Sequence, residues 1–131
     1  MPFEIIREDD APIVIVDCQA PFDFSKDVQA ANLAVAELLA GEMEAPIYRV
    51  YDFHELHLDF GDLVASLAAK TRSGEGSIQD ERIRTVMVGT HDLVKMKSES
   101  LRQTQYGGVD VPVFDTREMA VDFCRKLAVA E

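Results

Sequence analysis

The last third of the chain constrains its fold most. Arg82-Ile-Arg-Thr-Val-Met-Val-Gly-Thr90 is a β-branched, apolar run of strand length. A polar segment of helical length follows, then a Tyr106-Gly107-Gly108 turn and the short run Val111-Pro-Val-Phe114. Asp115-Thr116 then opens a segment with apolar residues Met119, Ala120, Phe123, Cys124 and Leu127 at helical spacing. The pattern β–α–β–α in so short a span predicts parallel strands joined by helical crossovers.

The remaining sequence extends this pattern toward the N-terminus. Phe3 to Glu8 reads as a first strand, Asp9-Asp10-Ala-Pro12 as a turn, and Ile13-Val-Ile-Val16 as a strand covered on both faces. Pro21-Phe-Asp-Phe24 is a loop, and Ser25 is placed to cap a helix carrying Val28, Ala31, Val35, Leu38 and Leu39. Gly41 is its expected stop. Ile47-Tyr-Arg-Val-Tyr51 is the third strand. Asp59 is placed to cap a second helix bearing Phe60, Leu63, Val64 and Leu67, and the polar stretch 71–81 reads as a loop. Thr90 or Asp92 opens a third helix, and Thr116 caps the last. The expected order is ββαβαβαβα: an α/β domain with one mixed sheet of about five strands and helices packed on it.

Length and composition agree with one ordered domain. The chain has 131 residues, 47% of them apolar, enough for a single core. Its 13 basic and 24 acidic residues give a net charge of −11. Such a surface repels nucleic acid and anionic lipid, so neither is an expected partner. The first residues lack the apolar stretch of a secretory leader, and no run reaches the ~18 apolar residues of a membrane span. A cytoplasmic protein is expected, with Cys18 and Cys124 as buried reduced thiols.

The element order resembles the STAS, or SpoIIAA-like, fold of bacterial anti-sigma-factor antagonists. The resemblance rests on the strand ending in Val88-Gly89, on Gln105-Tyr-Gly-Gly108, and on Val111-Pro-Val-Phe-Asp-Thr-Arg-Glu-Met-Ala120, with Phe114 and Ala120 at the start of the final helix. It implies a regulatory domain that binds other proteins. The antagonists carry a phosphorylatable serine where the third strand meets the second helix. Here that region is Leu58-Asp-Phe-Gly-Asp-Leu63, without Ser or Thr. The resemblance therefore implies the fold without partner switching by phosphorylation. Asp59 serves there as a helix cap or as a fixed negative charge in the place of a phosphoserine.

Candidate chemistry gathers in Asp52-Phe-His54-Glu-Leu-His57-Leu-Asp59, with His91-Asp92 after the fourth strand. Both follow strands whose C-terminal ends share one edge, where α/β sheets hold ligands. Asp52, His54, His57, Asp59 and His91 are the candidate ligand or metal residues. In an extended strand, 52 and 54 share one face and 55, 57 and 59 the other, so the group divides unless the chain turns. Neither an H-E-x-x-H helix, a G-x-S-x-G elbow nor a phosphate-binding glycine loop is present. Tyr48, Tyr51, Phe53 and Phe60 crowd the third strand as core or as the wall of a pocket for a small apolar ligand. Phe22 and Phe24 add either to that pocket or to an exposed aromatic patch for a partner.

Two functions follow. The first is a non-enzymatic module that binds a protein partner or a second copy of itself as a homodimer, without a cofactor. The second is a small-ligand or metal-binding domain, weakly enzymatic at most, built on the His54, His57 and His91 edge.

Overall fold

A β-branched strand has to bury both its faces when helices cover both sides of its sheet, and the central strands here do so. In the computed structural model, residues 2–24, 26–56, 80–89, 95–96, 98–99 and 111–130 are described. The strands are β1 (Phe3–Arg7), β2 (Ile13–Cys18), β3 (Ile47–Asp52), β4 (Ile83–Val88) and β5 (Val113–Phe114). The helices are α1 (Asp27–Gly41) and α2 (Arg117–Ala130). One five-stranded sheet runs β1-β2-β3-β4-β5. β1 is antiparallel to β2, as the expected hairpin requires, and each later strand is parallel to its neighbour. The mixed sheet is as the sequence predicts. The expected second helix and most of the third fall outside the described residues.

Side-chain alternation sorts each strand into two cores. Val14, Val16, Cys18, Ile47, Tyr51, Ile83 and Met87 meet Ala31 and Val35 of α1. On the other face Ile13, Ile15, Tyr48, Val50, Val86 and Val88 meet Ala120 and Cys124 of α2. Apolar demand on both faces explains why Ile13-Val-Ile-Val16 shows no polar alternation. Ile47 is fully buried between β2 and β4. Ile47→Ala should remove about 3 kcal/mol by lost transfer energy and a residual cavity. Urea unfolding followed by circular dichroism should show an earlier midpoint with an unchanged slope.

Several local expectations are corrected. α1 begins after Lys26, whose side chain makes no capping bond. Just ahead of it Asp23 Oδ1 accepts from Lys26 N–H at 3.3 Å, while Asp27 Oδ2 accepts from Asp23 N–H at 2.8 Å. Ser25 itself lies outside the described residues. α1 ends at Gly41 as expected, and the C-cap residue Glu42 donates its N–H to Leu38 O at 2.8 Å. The fifth strand is only Val113–Phe114, because just Met87 and Val88 of β4 pair with it. Thr116 caps α2 as expected, with Oγ1 accepting from Met119 N–H at 3.2 Å. Met119 is 52% exposed, on the flank of the stripe that buries Ala120 and Cys124.

The aromatic residues divide between the faces. Tyr48 lies in the α2-side core, whereas Tyr51, Phe53 and Phe24 share the α1-side core with half-buried Phe22 against it. Phe24 meets Phe22 edge-on at 5.1 Å and Phe53 at 5.6 Å. The loop aromatics are thus core rather than an exposed patch. Phe60 is outside the described residues. Cys18 and Cys124 are buried free thiols in opposite cores.

Candidate functional site

Parallel pairing brings two carboxylates together at the C-terminal edge of the sheet. In the β2–β3 register Asp17 stands beside Asp52, both on the α2 face. Asp52 has a fully buried side chain, and Asp17 is largely buried. Two such charges side by side need a cation. Arg117, the first residue of α2, supplies it. Its Nε donates to Asp52 Oδ2 at 2.7 Å. Its other arm lies 3.1 Å from Asp17 Oδ1, an ion-pair contact not aligned as a hydrogen bond. Partial burial works against the charged guanidinium, yet hydrogen bonding and charge from Asp52, then Asp17, raise its pKa above the usual value. An arginine in a helix's first turn opposes the helix dipole. The two carboxylates account for its place.

His54 completes the group. The chain leaves β3 and turns at His54-Glu55, so Asp52 Oδ1 accepts both the His54 backbone N–H at 3.0 Å and the ring Nδ1 at 2.5 Å. With Nδ1 as donor, Nε2 is an acceptor. The ring is half-exposed, and Nε2 stands 3.7 Å from Glu55 Oε1. Potential ligand atoms of Asp17, Asp52 and His54 lie within 4.8 Å of one another. Both oxygens of Asp52 are nevertheless engaged, and Arg117 occupies the place where a cation would balance the pair. The geometry suits an imidazole held in one orientation by a buried carboxylate better than it suits a metal cage.

Of the five residues singled out in the sequence, the structure brings Asp52 and His54 into contact. The turn at 54–55 does this, not a shared strand face. His57, Asp59 and His91 lie outside the described residues. Asp17 and Arg117 escaped the sequence reading. A signal existed for Asp17, since β2 and β3 both run from apolar residues into an aspartate near the same edge. Arg117 gave none.

Two further polar groups lie elsewhere. Arg49 is fully buried in β3 on the α1 face. It donates to Asn32 Oδ1 at 3.1 Å and Thr85 Oγ1 at 2.9 Å, and its guanidinium lies 4.7 Å from the Tyr51 ring centre. The Tyr51 hydroxyl donates to the same Asn32 oxygen. Desolvation lowers the pKa of Arg49. It pushes that of Tyr51 up to about 12, with nearby Arg49 partly offsetting the effect. A lone arginine among β-formers was the only mark of this network in the sequence. On the other face, a cleft of about 310 Å³ beside α2 has Ile15 and Val121 among its walls, with Arg117 and Arg125 also lining it. Arg125 bridges from α2 to Asp10 at 2.9 Å and Glu8 at 3.1 Å.

No protein-family model, no curated protein and no solved structure matches the chain. Among the described residues, no helix is long and apolar enough to cross a membrane. The function must therefore be argued from the residues themselves.

Proposed function

We propose that the chain is a non-enzymatic regulatory or protein-binding module of STAS-like fold, acting in the cytoplasm. One observation carries this reading: Arg117 joins Asp17 and Asp52 in a single ion-paired group. The acidic strand edge is thereby consumed as a brace between sheet and α2 rather than left as an open catalytic centre. The leading antiparallel hairpin and the parallel strands after it support the same fold assignment. Leu58–Leu63 contains no Ser or Thr, so the module read here works without the phosphoacceptor of the anti-sigma-factor antagonists.

A second reading is favoured by His54 alone. Asp52 orients its half-exposed ring through Nδ1, and in the neutral ring this leaves Nε2 as an acceptor, the arrangement of a ligand-binding imidazole or a general base. Native mass spectrometry of the protein as purified separates the two. The module reading expects bare mass, in one or two copies. Added mass that leaves on denaturation, and is missing from a folded His54→Ala variant, would replace it with the ligand reading.

A further inference from the structure

β1 is an edge strand: among the described residues it pairs with β2 alone. Its register decides which backbone groups that pairing uses. Gln19 N–H donates to Pro2 O at 2.7 Å, and Glu8 N–H donates to Ile13 O at 3.0 Å. In an antiparallel ladder, bonded and non-bonded pairs alternate. Between those two ends the bonded pairs are therefore Glu4 with Asp17 and Ile6 with Ile15. Phe3, Ile5 and Arg7 turn their N–H and C=O groups the other way, to the open edge.

Such a row is a template for another strand. We infer that its partner is a second copy of this chain, which adds its own β1 antiparallel to the first across a two-fold axis normal to the sheet. This inference rests on the binding-module reading and names the partner. The axis keeps every residue on its own face, and outward-facing residues must meet outward-facing residues. Only a few registers satisfy both conditions, and charge chooses among them.

With Ile5 opposite Ile5 of the second copy, Phe3 stands opposite Arg7 and Glu4 opposite Ile6. All the outward N–H and C=O groups of both strands are engaged, and no like charges face each other. Moving the centre to Ile6 sets Glu4 against Glu8. Moving it to Glu4 sets that residue against its own copy. Both shifted registers leave outward groups unpaired and oppose carboxylates, which destabilises a cross-strand pair. The favoured register also lays half-buried Ile5 against its own copy on the α1 face. Each copy carries −11, so long-range repulsion opposes the encounter and salt should strengthen it.

Sedimentation equilibrium of the full chain, across concentration and salt, tests this together with amide exchange. The expected mass moves from 14.6 kDa toward twice that value as concentration rises, more readily at higher salt. The amides of Phe3, Ile5 and Arg7 should slow at least tenfold over the same range, while Glu4 and Ile6 are protected throughout. Ile5→Pro removes a donor that β2 does not use, at a position where an edge strand accepts proline. It should stay folded by circular dichroism and stay at 14.6 kDa. A wild-type mass that stays monomeric would overturn the inference. So would a dimer whose Phe3, Ile5 and Arg7 amides remain fast, or one that a folded Ile5→Pro still forms. None of these results bears on the module reading itself, which fails instead on a bound ligand in the native mass spectrum.

Discussion

Between pH 9 and pH 12 the protein should lose about 5 kcal/mol of folding stability through two buried groups alone. Cys124 lies between α2 and the sheet with no exposed surface, and burial pushes its thiol from 9.0 to about 11. Tyr51 is pushed by burial from 10.0 to about 12. Each group has a folded pKa above its unfolded value. The native state therefore holds these protons after the unfolded chain has released them. Their stabilisation is complete below the unfolded pKa and disappears as pH rises through the folded one. Cys124 acts between about pH 9 and 11, Tyr51 between about 10 and 12. Two units correspond to between about 2 and 3 kcal/mol each. The sum is comparable to the whole stability of a small domain. Urea unfolding at pH 8, 9, 10, 11 and 12 measures it. Cys124→Ala should flatten the first part of the decline and Tyr51→Phe the second. A wild-type stability constant from pH 8 to 11 would show that neither group is held as the structure places it.

Arg117→Met should cost about 3 kcal/mol. The substitution keeps an apolar stem and removes the cation that Asp17 and Asp52 share. Breaking a buried pair leaves an uncompensated charge and is far costlier than replacing the whole pair. The partial exposure of Arg117 places the effect at the lower end of that range. Two companion variants isolate the cause. Arg117→Lys should recover little, since a compact ammonium cannot span two carboxylates as a planar guanidinium does. Asp52→Asn in the Arg117→Met background should recover about 1–2 kcal/mol by removing one orphaned charge, a coupling read from the double-mutant cycle. Thermal melts at pH 7 decide it. If Arg117→Met melts with the wild type, the brace contributes nothing and the charge argument for this edge falls.

The same residues show where sequence reading succeeds. Asp52 and His54 were legible because they are neighbours in sequence at the end of a strand, and a short turn can bring them into contact. The cap at Thr116 was legible for the same reason, since its bond reaches only to Met119. The stop at Gly41 was legible too, because a glycine at the end of an apolar periodic run marks a helix end locally. The cap expected at Ser25 lies outside the described residues, and among those described the reciprocal Asp23–Asp27 pair holds the entry to α1.

Periodicity and β-branching by themselves determined the α/β class, the leading hairpin and the edge at which a site should lie, because each depends on residues within a turn or a strand of one another. Tertiary structure alone decided that Arg117 meets Asp52 across 65 residues of chain. It also decided that Asp17 stands beside Asp52, and that Arg49 bonds Thr85 inside the core. Strand register and helix placement set those meetings. They are settled by the packing of two apolar faces over the whole sheet, a sum of many contacts that no local stretch of sequence contains.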